Sequence, residues 1–172
     1  MKTVAIIAEY NPFHTGHEYQ IKEIRREFGA DTRIIAVMSG NYTQRGELAV
    51  MDKSERAKAA TLCGVNLVLE LPFPYSMSSA EFFARSGVHI AEGLGIVDYL
   101  AFGSELGDTE ALVTIAENMS SHEYSECLNS LTQDKKYSTY GYPALCEIAY
   151  TKLFSGCLTK DFFTPNNILA IE

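Results

Sequence analysis

Two rhythms of apolar residues alternate along this chain. Residues 4–8 (VAIIA), 33–38 (RIIAVM), 66–71 (NLVLEL) and 97–102 (VDYLAF) are short apolar runs, the pattern of strands buried in a parallel sheet. Between them lie stretches with helical spacing. Residues 16–28 put Ile21, Ile24 and Phe28 on one face, and Gly29 closes the run. Asp52 and Glu55 have the spacing of a capping box opening a helix to Cys63, again closed by a glycine, Gly64. Ser78 and Glu81 repeat that signal ahead of a helix running to about Glu92. A polar loop with Gly40 and Gly46 follows the second strand, and Pro72 and Pro74 end the third.

Strands separated by single helices predict an α/β, Rossmann-like (HUP-type) fold: a parallel sheet with right-handed crossovers and helices on both faces. From about residue 108 the pattern is helical, with Leu112, Ile115, Ala116 and Met119 on one face. Residues 134–141 read as a loop and 144–154 as a further helix. Thr164 and Pro165 read as N-cap and first residue of a helix. That helix meets Glu172 after about two turns, so a product truncated at the C-terminus is expected. The whole of 1–172 reads as one domain.

Composition narrows the class. Apolar residues make up 47% and charged residues 21%, ordinary for a soluble globular protein. No run approaches the ~18 apolar residues of a membrane span, and a strand starting this early and followed by Glu9 argues against a secretory signal. Cys63, Cys127, Cys146 and Cys157 form no CxxC pair and read as reduced thiols of a cytoplasmic protein. The net charge is −8, from 14 basic against 22 acidic residues without a dense basic run. A chain gripping nucleic acid on its own usually carries a basic face, so this one supplies at most part of such a surface.

The chemistry concentrates directly after the first strand, in Glu9, Tyr10, Asn11, Pro12, Phe13, His14, Thr15, Gly16 and His17. Asn-Pro breaks the strand, and two histidines at i, i+3 open the helix, where both imidazoles share a face. A helix N-terminus attracts anions, and Gly16 lets a polyphosphate approach the backbone. A zinc pair at this spacing is the rival, but His89 and His122 are the remaining histidines and no acidic or thiol cluster sits at ligand spacing. No protein metal site is expected. His14, His17, Ser39, Gly40, Gly103 and Ser104 all follow strands, the rim where such sheets bind ligands.

The segment from Asn11 to His17 resembles the signature of the HIGH-type nucleotidyltransferases. Residues 37–47 (VMSGNYTQRGE), 69–72 (LELP), 101–105 (AFGSE) and 165–169 (PNNIL) resemble, in the same order, the bacterial tRNA(Met) cytidine acetate ligase branch. That resemblance implies ATP as substrate with magnesium, and acetate activated as acetyl-adenylate. It implies transfer to N4 of the wobble cytidine of elongator tRNA(Met). His14 and His17 would be catalytic. Ile7, Ala8, Glu9, Tyr10, Asn11, Pro12, Phe13, His14, Thr15, Gly16, His17, Gly103, Asn166 and Asn167 would hold the nucleotide. Arg45, Lys53 and Arg56 are open candidates for charge on phosphate or acetate, and Glu9 for orienting a histidine or touching ribose. The family's second phosphate motif, Ile-Ser/Thr-Ser/Thr-x-x-Arg, has no counterpart in this chain. The alternatives are a small-molecule adenylyltransferase of the coenzyme type and a non-catalytic nucleotide-binding module.

Overall fold

The computed structural model describes residues 1–154 and 162–172; Cys157 lies outside them, and Cys63, Cys127 and Cys146 are free thiols. The chain clusters into two compact units, Met1–Phe102 and Gly103–Glu172, where the pattern reading runs one domain with a helical part from about 108.

The first unit is built on β1 (Thr3–Ala8), β2 (Arg33–Ser39), β3 (Leu67–Leu71) and β4 (Tyr99–Ala101). All pairs are parallel in the order β3-β2-β1-β4. Alternate side chains point to opposite faces. Val4, Ile6, Ile34, Ala36 and Met38 pack with Ile21 and Ile24 of α1 (Thr15–Phe28) and Ala60 of α2 (Lys53–Leu62). Each such buried branched side chain contributes roughly 2 kcal/mol. Ile7 points the other way, onto α3 (Ala80–Gly93), where Gly87 leaves room for it. Helices therefore cover both faces, as the alternation implies.

Three details differ from the pattern reading. β4 is shorter because the Asp98 carboxylate accepts from the Thr3 amide at 2.7 Å, taking a donor the ladder would use. α3 is capped by Ser79, whose hydroxyl accepts from the Phe82 amide, while the Ser78 hydroxyl donates to the Tyr75 carbonyl. The polar segment after β2 is a small hairpin, closed by a Tyr42–Leu48 bridge and by the Thr43 amide on the Glu47 carbonyl at 2.8 Å.

The second unit contains α4 (Thr109–Met119), α5 (His122–Gln133), α6 (Tyr142–Phe154) and α7 (Pro165–Ile171). Leu112, Ile115, Tyr124, Leu128, Leu131, Leu145, Ala149 and Tyr150 form its core. Ser121 divides α4 from α5 by capping the Tyr124 amide, a break the apolar spacing does not reveal. The 134–141 loop holds a 3-10 turn over Lys135–Tyr137, capped by Asp134.

Candidate nucleotide site

β1 delivers the chain to a turn in which the two histidines brace one another. His14 has extended backbone and caps α1. Its Nδ1 accepts from the Gly16 amide at 3.1 Å, while His17 Nδ1 accepts from the His14 amide at 3.2 Å. This is a reciprocal capping box with imidazoles in place of the usual hydroxyl and carboxylate. The rings stack with centroids 3.8 Å apart and planes at 26°. An Nδ1 that accepts leaves the proton of a neutral imidazole on Nε2. Each ring so braced has an Nε2–H donor that the capping bond does not use.

Burial lowers the His17 pKa to about 4, helped by the neighbouring His14, so His17 is neutral near pH 7. The Gly16 amide, at the point where the sequence reading lets a polyphosphate approach the backbone, is turned onto the His14 ring. Gly16 is also needed for a different reason than phosphate access. A Cβ there would lie 2.9 Å from His14 Cε1 and 3.1 Å from Nδ1, tighter than van der Waals contact allows.

Tyr10 forms the bed beneath His17. Its centroid is 4.8 Å from that of His17 and 5.0 Å from that of Phe13. The residue adopts φ 50°, a left-handed conformation uncommon for a bulky side chain and a mark of stored strain. Its ring is buried, its hydroxyl has no hydrogen-bond partner among the described residues, and burial pushes the phenol pKa up. The Ile7 and Ala8 side chains pack into the first unit, so they offer a ligand backbone rather than side chain. Pro12, His14, Thr15 and Gly16 are exposed.

Glu9 and Asn11 act on the hairpin instead of on a histidine. Glu9 Oε1 accepts from the Gln44 amide, and Asn11 Oδ1 accepts from the Val50 amide at 2.7 Å. Gln44 Nε2 in turn donates to the Ser78 carbonyl at 2.7 Å. Arg56 completes the clasp. It is wholly buried, and its guanidinium donates to the carbonyls of Glu9, Gly40 and Met51. Burial pulls its pKa down, while the carboxylates of Glu9, Asp52 and Glu70 pull it back up. Arg56 thus ties the ends of β1 and β2 to the start of α2 and has no exposed surface to offer a phosphate. Lys53 pairs with Glu70 Oε2 at 2.6 Å, and Arg45 is exposed.

Gly103, Asn166 and Asn167 belong to the second unit. Asn167 is buried; its Oδ1 accepts from Ser104 Oγ at 2.7 Å and the Glu105 amide at 3.1 Å, and its Nδ2 donates to the Phe162 carbonyl at 3.0 Å. Its carboxamide is a bracket between the 104–106 segment and α7. Asn166 is exposed and donates to Glu105 Oε1 at 2.7 Å, and Thr164 donates to Oε2 at the same distance. Among the described residues no three His, Cys, Asp or Glu side chains gather to hold a metal. No helix there is long and apolar enough to cross a membrane.

The family model described as HIGH Nucleotidyl Transferase matches residues 1–172. The chain belongs to that family. Among relatives of this HIGH nucleotidyl transferase, the tRNA(Met) cytidine acetate ligase of Acetivibrio thermocellus is 42% identical over 174 residues, covering 100% of this chain and 41% of the relative. The Bacillus subtilis protein of the same name is 39% identical, covering 100% and 40%. The solved structure of Thermotoga maritima TmcAL bound with alpha-thio ATP superposes with a TM-score of 0.85 at 35% identity, covering 99% of this chain and 42% of that one. The chain thus spans about two-fifths of the length of the relatives it matches.

Sequence reasoning found the turn but gave its supports other roles, Tyr10 on the nucleotide and Arg56 as charge for phosphate or acetate. The strained Tyr10 and the buried Arg56 carry no spacing signal of their own. An arginine one turn into a helix otherwise reads as solvated charge. The one available hint is that Ala57 and Ala60, which follow Arg56, are small residues, and both pack against the core under α2.

Proposed function

We propose that this chain is the ATP-binding part of a tRNA(Met) cytidine acetate ligase, working in the cytoplasm. The observation that carries the reading is the His14–His17 capping box. It presents imidazole Nε2 donors at a helix N-terminus, where the positive dipole end also favours phosphate. The names of the relatives and the alpha-thio ATP held by the Thermotoga protein support it.

In this reading ATP lies against residues 7–17, with its phosphates on His14 and His17. Gly103, Asn166 and Asn167, which the resemblance also assigns to the nucleotide, belong to the second unit, where Asn167 holds the 104–106 segment. Magnesium would be held by phosphate oxygens and water, since no protein cage is needed for it; when bound it neutralises triphosphate charge. An acetate oxygen attacks the α-phosphorus. The new P–O bond replaces the bond to pyrophosphate, which leaves with the electron pair. The residues supply position and hydrogen bonds to developing charge, and no protein nucleophile is required. Acetyl-adenylate then passes its acetyl group to N4 of the wobble cytidine, and AMP departs.

The test uses a stable mimic of the intermediate, N-acetylsulfamoyl adenosine, titrated against AMP. A site shaped for acetyl-adenylate should prefer the mimic at least about tenfold, as sites complementary to reaction intermediates do. Equal affinities would favour the adenylyltransferase or the binding module.

A further inference from the structure

A second cavity opens one strand away from the histidines. Gly40, Asn41, Tyr42, Glu70, Phe73 and Ser76 line a space of about 170 Å³ at the carboxyl ends of β2 and β3. That is well below the roughly 300–1,000 Å³ of pockets for drug-sized ligands, and suits a single flat ring. Two of its walls are aromatic and wet: Phe73 is 70% exposed and Tyr42 is 42% exposed. Exposed rings flanking a slot are stacking platforms for an unpaired base.

The polar wall is Glu70. Lys53 holds Oε2 at 2.6 Å, and Oε1 lies over Gly40, where a Cβ would collide with it. A carboxylate accepts from the exocyclic amine of cytosine and repels the carbonyl oxygen that uracil carries at the same position. The cavity is joined to the histidine turn through Arg56, which donates to Gly40 on one side and to Glu9 on the other. Neighbouring strands lie about 4.8 Å apart and β2 stands between β3 and β1, so an amine on Glu70 is roughly 10 Å from the end of β1.

We propose that this cavity seats the acceptor base: an unpaired cytosine stacked between Tyr42 and Phe73, its N4 amine donating to Glu70. This rests on the ligase reading above, which requires a cytidine to receive the acetyl group. Among the described residues no basic side chain lines the slot, and Lys53 beside it is taken up by Glu70, so the slot reads the base and leaves the backbone phosphates to other surfaces.

The experiment is photocrosslinking at low salt, with a short RNA hairpin carrying one 5-iodocytidine in its loop, against the same hairpin with 5-iodouridine. The crosslink should map to Tyr42 or Phe73 and vanish in a Tyr42→Ala/Phe73→Ala variant, which removes exposed rings and leaves melting unchanged. Cytidine should exceed uridine at least about tenfold, and Glu70→Gln, whose amide can also donate, should bring the two within about twofold. No crosslink, crosslinks elsewhere, or equal yields from the two bases in the unmodified protein would overturn the proposal. ATP is titrated in the same samples. Intact ATP binding without the crosslink overturns the base site alone, whereas absent ATP binding overturns the nucleotide reading beneath it.

Discussion

The two compact units handle polar groups in opposite ways. In the second unit the buried asparagine is answered atom by atom: Asn167 binds Ser104, Glu105 and Phe162, and Glu105 takes both Thr164 and Asn166. In the first unit, polar capacity is left over around the ends of the strands. The Tyr10 hydroxyl and Ser39 Oγ are buried without partners among the described residues, and the two imidazoles keep Nε2 clear of the capping bonds. Buried polar groups are ordinarily satisfied because leaving one unpaired costs roughly 1–3 kcal/mol. A unit that satisfies its own groups is scaffold. One that tolerates strain and spare donors at a single rim has them available for a ligand.

The sharpest way to break this contrast is Arg56→Ala. Three carbonyls lose their donor at once, the buried one of Gly40 at about 1–3 kcal/mol and the part-buried ones of Glu9 and Met51 at less, and a cavity opens under the turn. A loss of at least about 3 kcal/mol is expected, read as a drop in melting temperature of roughly 6–12 °C for a chain of this size. An unchanged melting curve would show that the clasp holds nothing.

Asn167→Asp probes the second unit. The acceptor oxygen survives, but the donor to Phe162 is lost and a carboxylate is buried beside a carbonyl. Urea titration should show a loss of about 2 kcal/mol. A neutral result would mean that the bracket is not tight.

Gly16→Ala separates site from scaffold. The new Cβ drives the His14 ring from its cap, so ATP affinity should fall roughly tenfold, while stability changes by less than about 1 kcal/mol, the scale of a lost cap. Unaltered affinity with a lower melting point would make Gly16 a packing residue.

A further effect is in pH. His17 takes up its proton near pH 4 in the folded state, against an ordinary value of 6.5. The unfolded chain therefore binds the proton first, and stability falls as pH drops through that window. His17→Gln should flatten the melting temperature between pH 6.5 and about 4.5 relative to the unmodified chain. Parallel curves would show that His17 is not desolvated.

The contrast also explains what the sequence makes legible. Strand runs, the helix closed by Gly29 and the Thr164–Pro165 start reflect local pattern and chain stiffness, and all are present. The histidine turn is legible because Asn-Pro, Gly16 and the i, i+3 spacing are local too. Arg56 reaches back 47 residues to Glu9, and Asn167 reaches back 63 to Ser104. Such bonds are set by tertiary placement, which no window of the sequence contains. Ser79 in place of Ser78 as the α3 cap shows the same limit at short range: two adjacent serines are equivalent until Gln44 claims the Ser78 carbonyl.

The most direct measurement is ATP binding by calorimetry to the unmodified chain and to His14→Ala/His17→Ala, with folding checked by circular dichroism. Each imidazole donating to an ionised phosphate is worth about 1.5–3 kcal/mol, so the pair should weaken binding by roughly a hundredfold or more. Equal affinities in two folded proteins would contradict the phosphate role of the histidine turn.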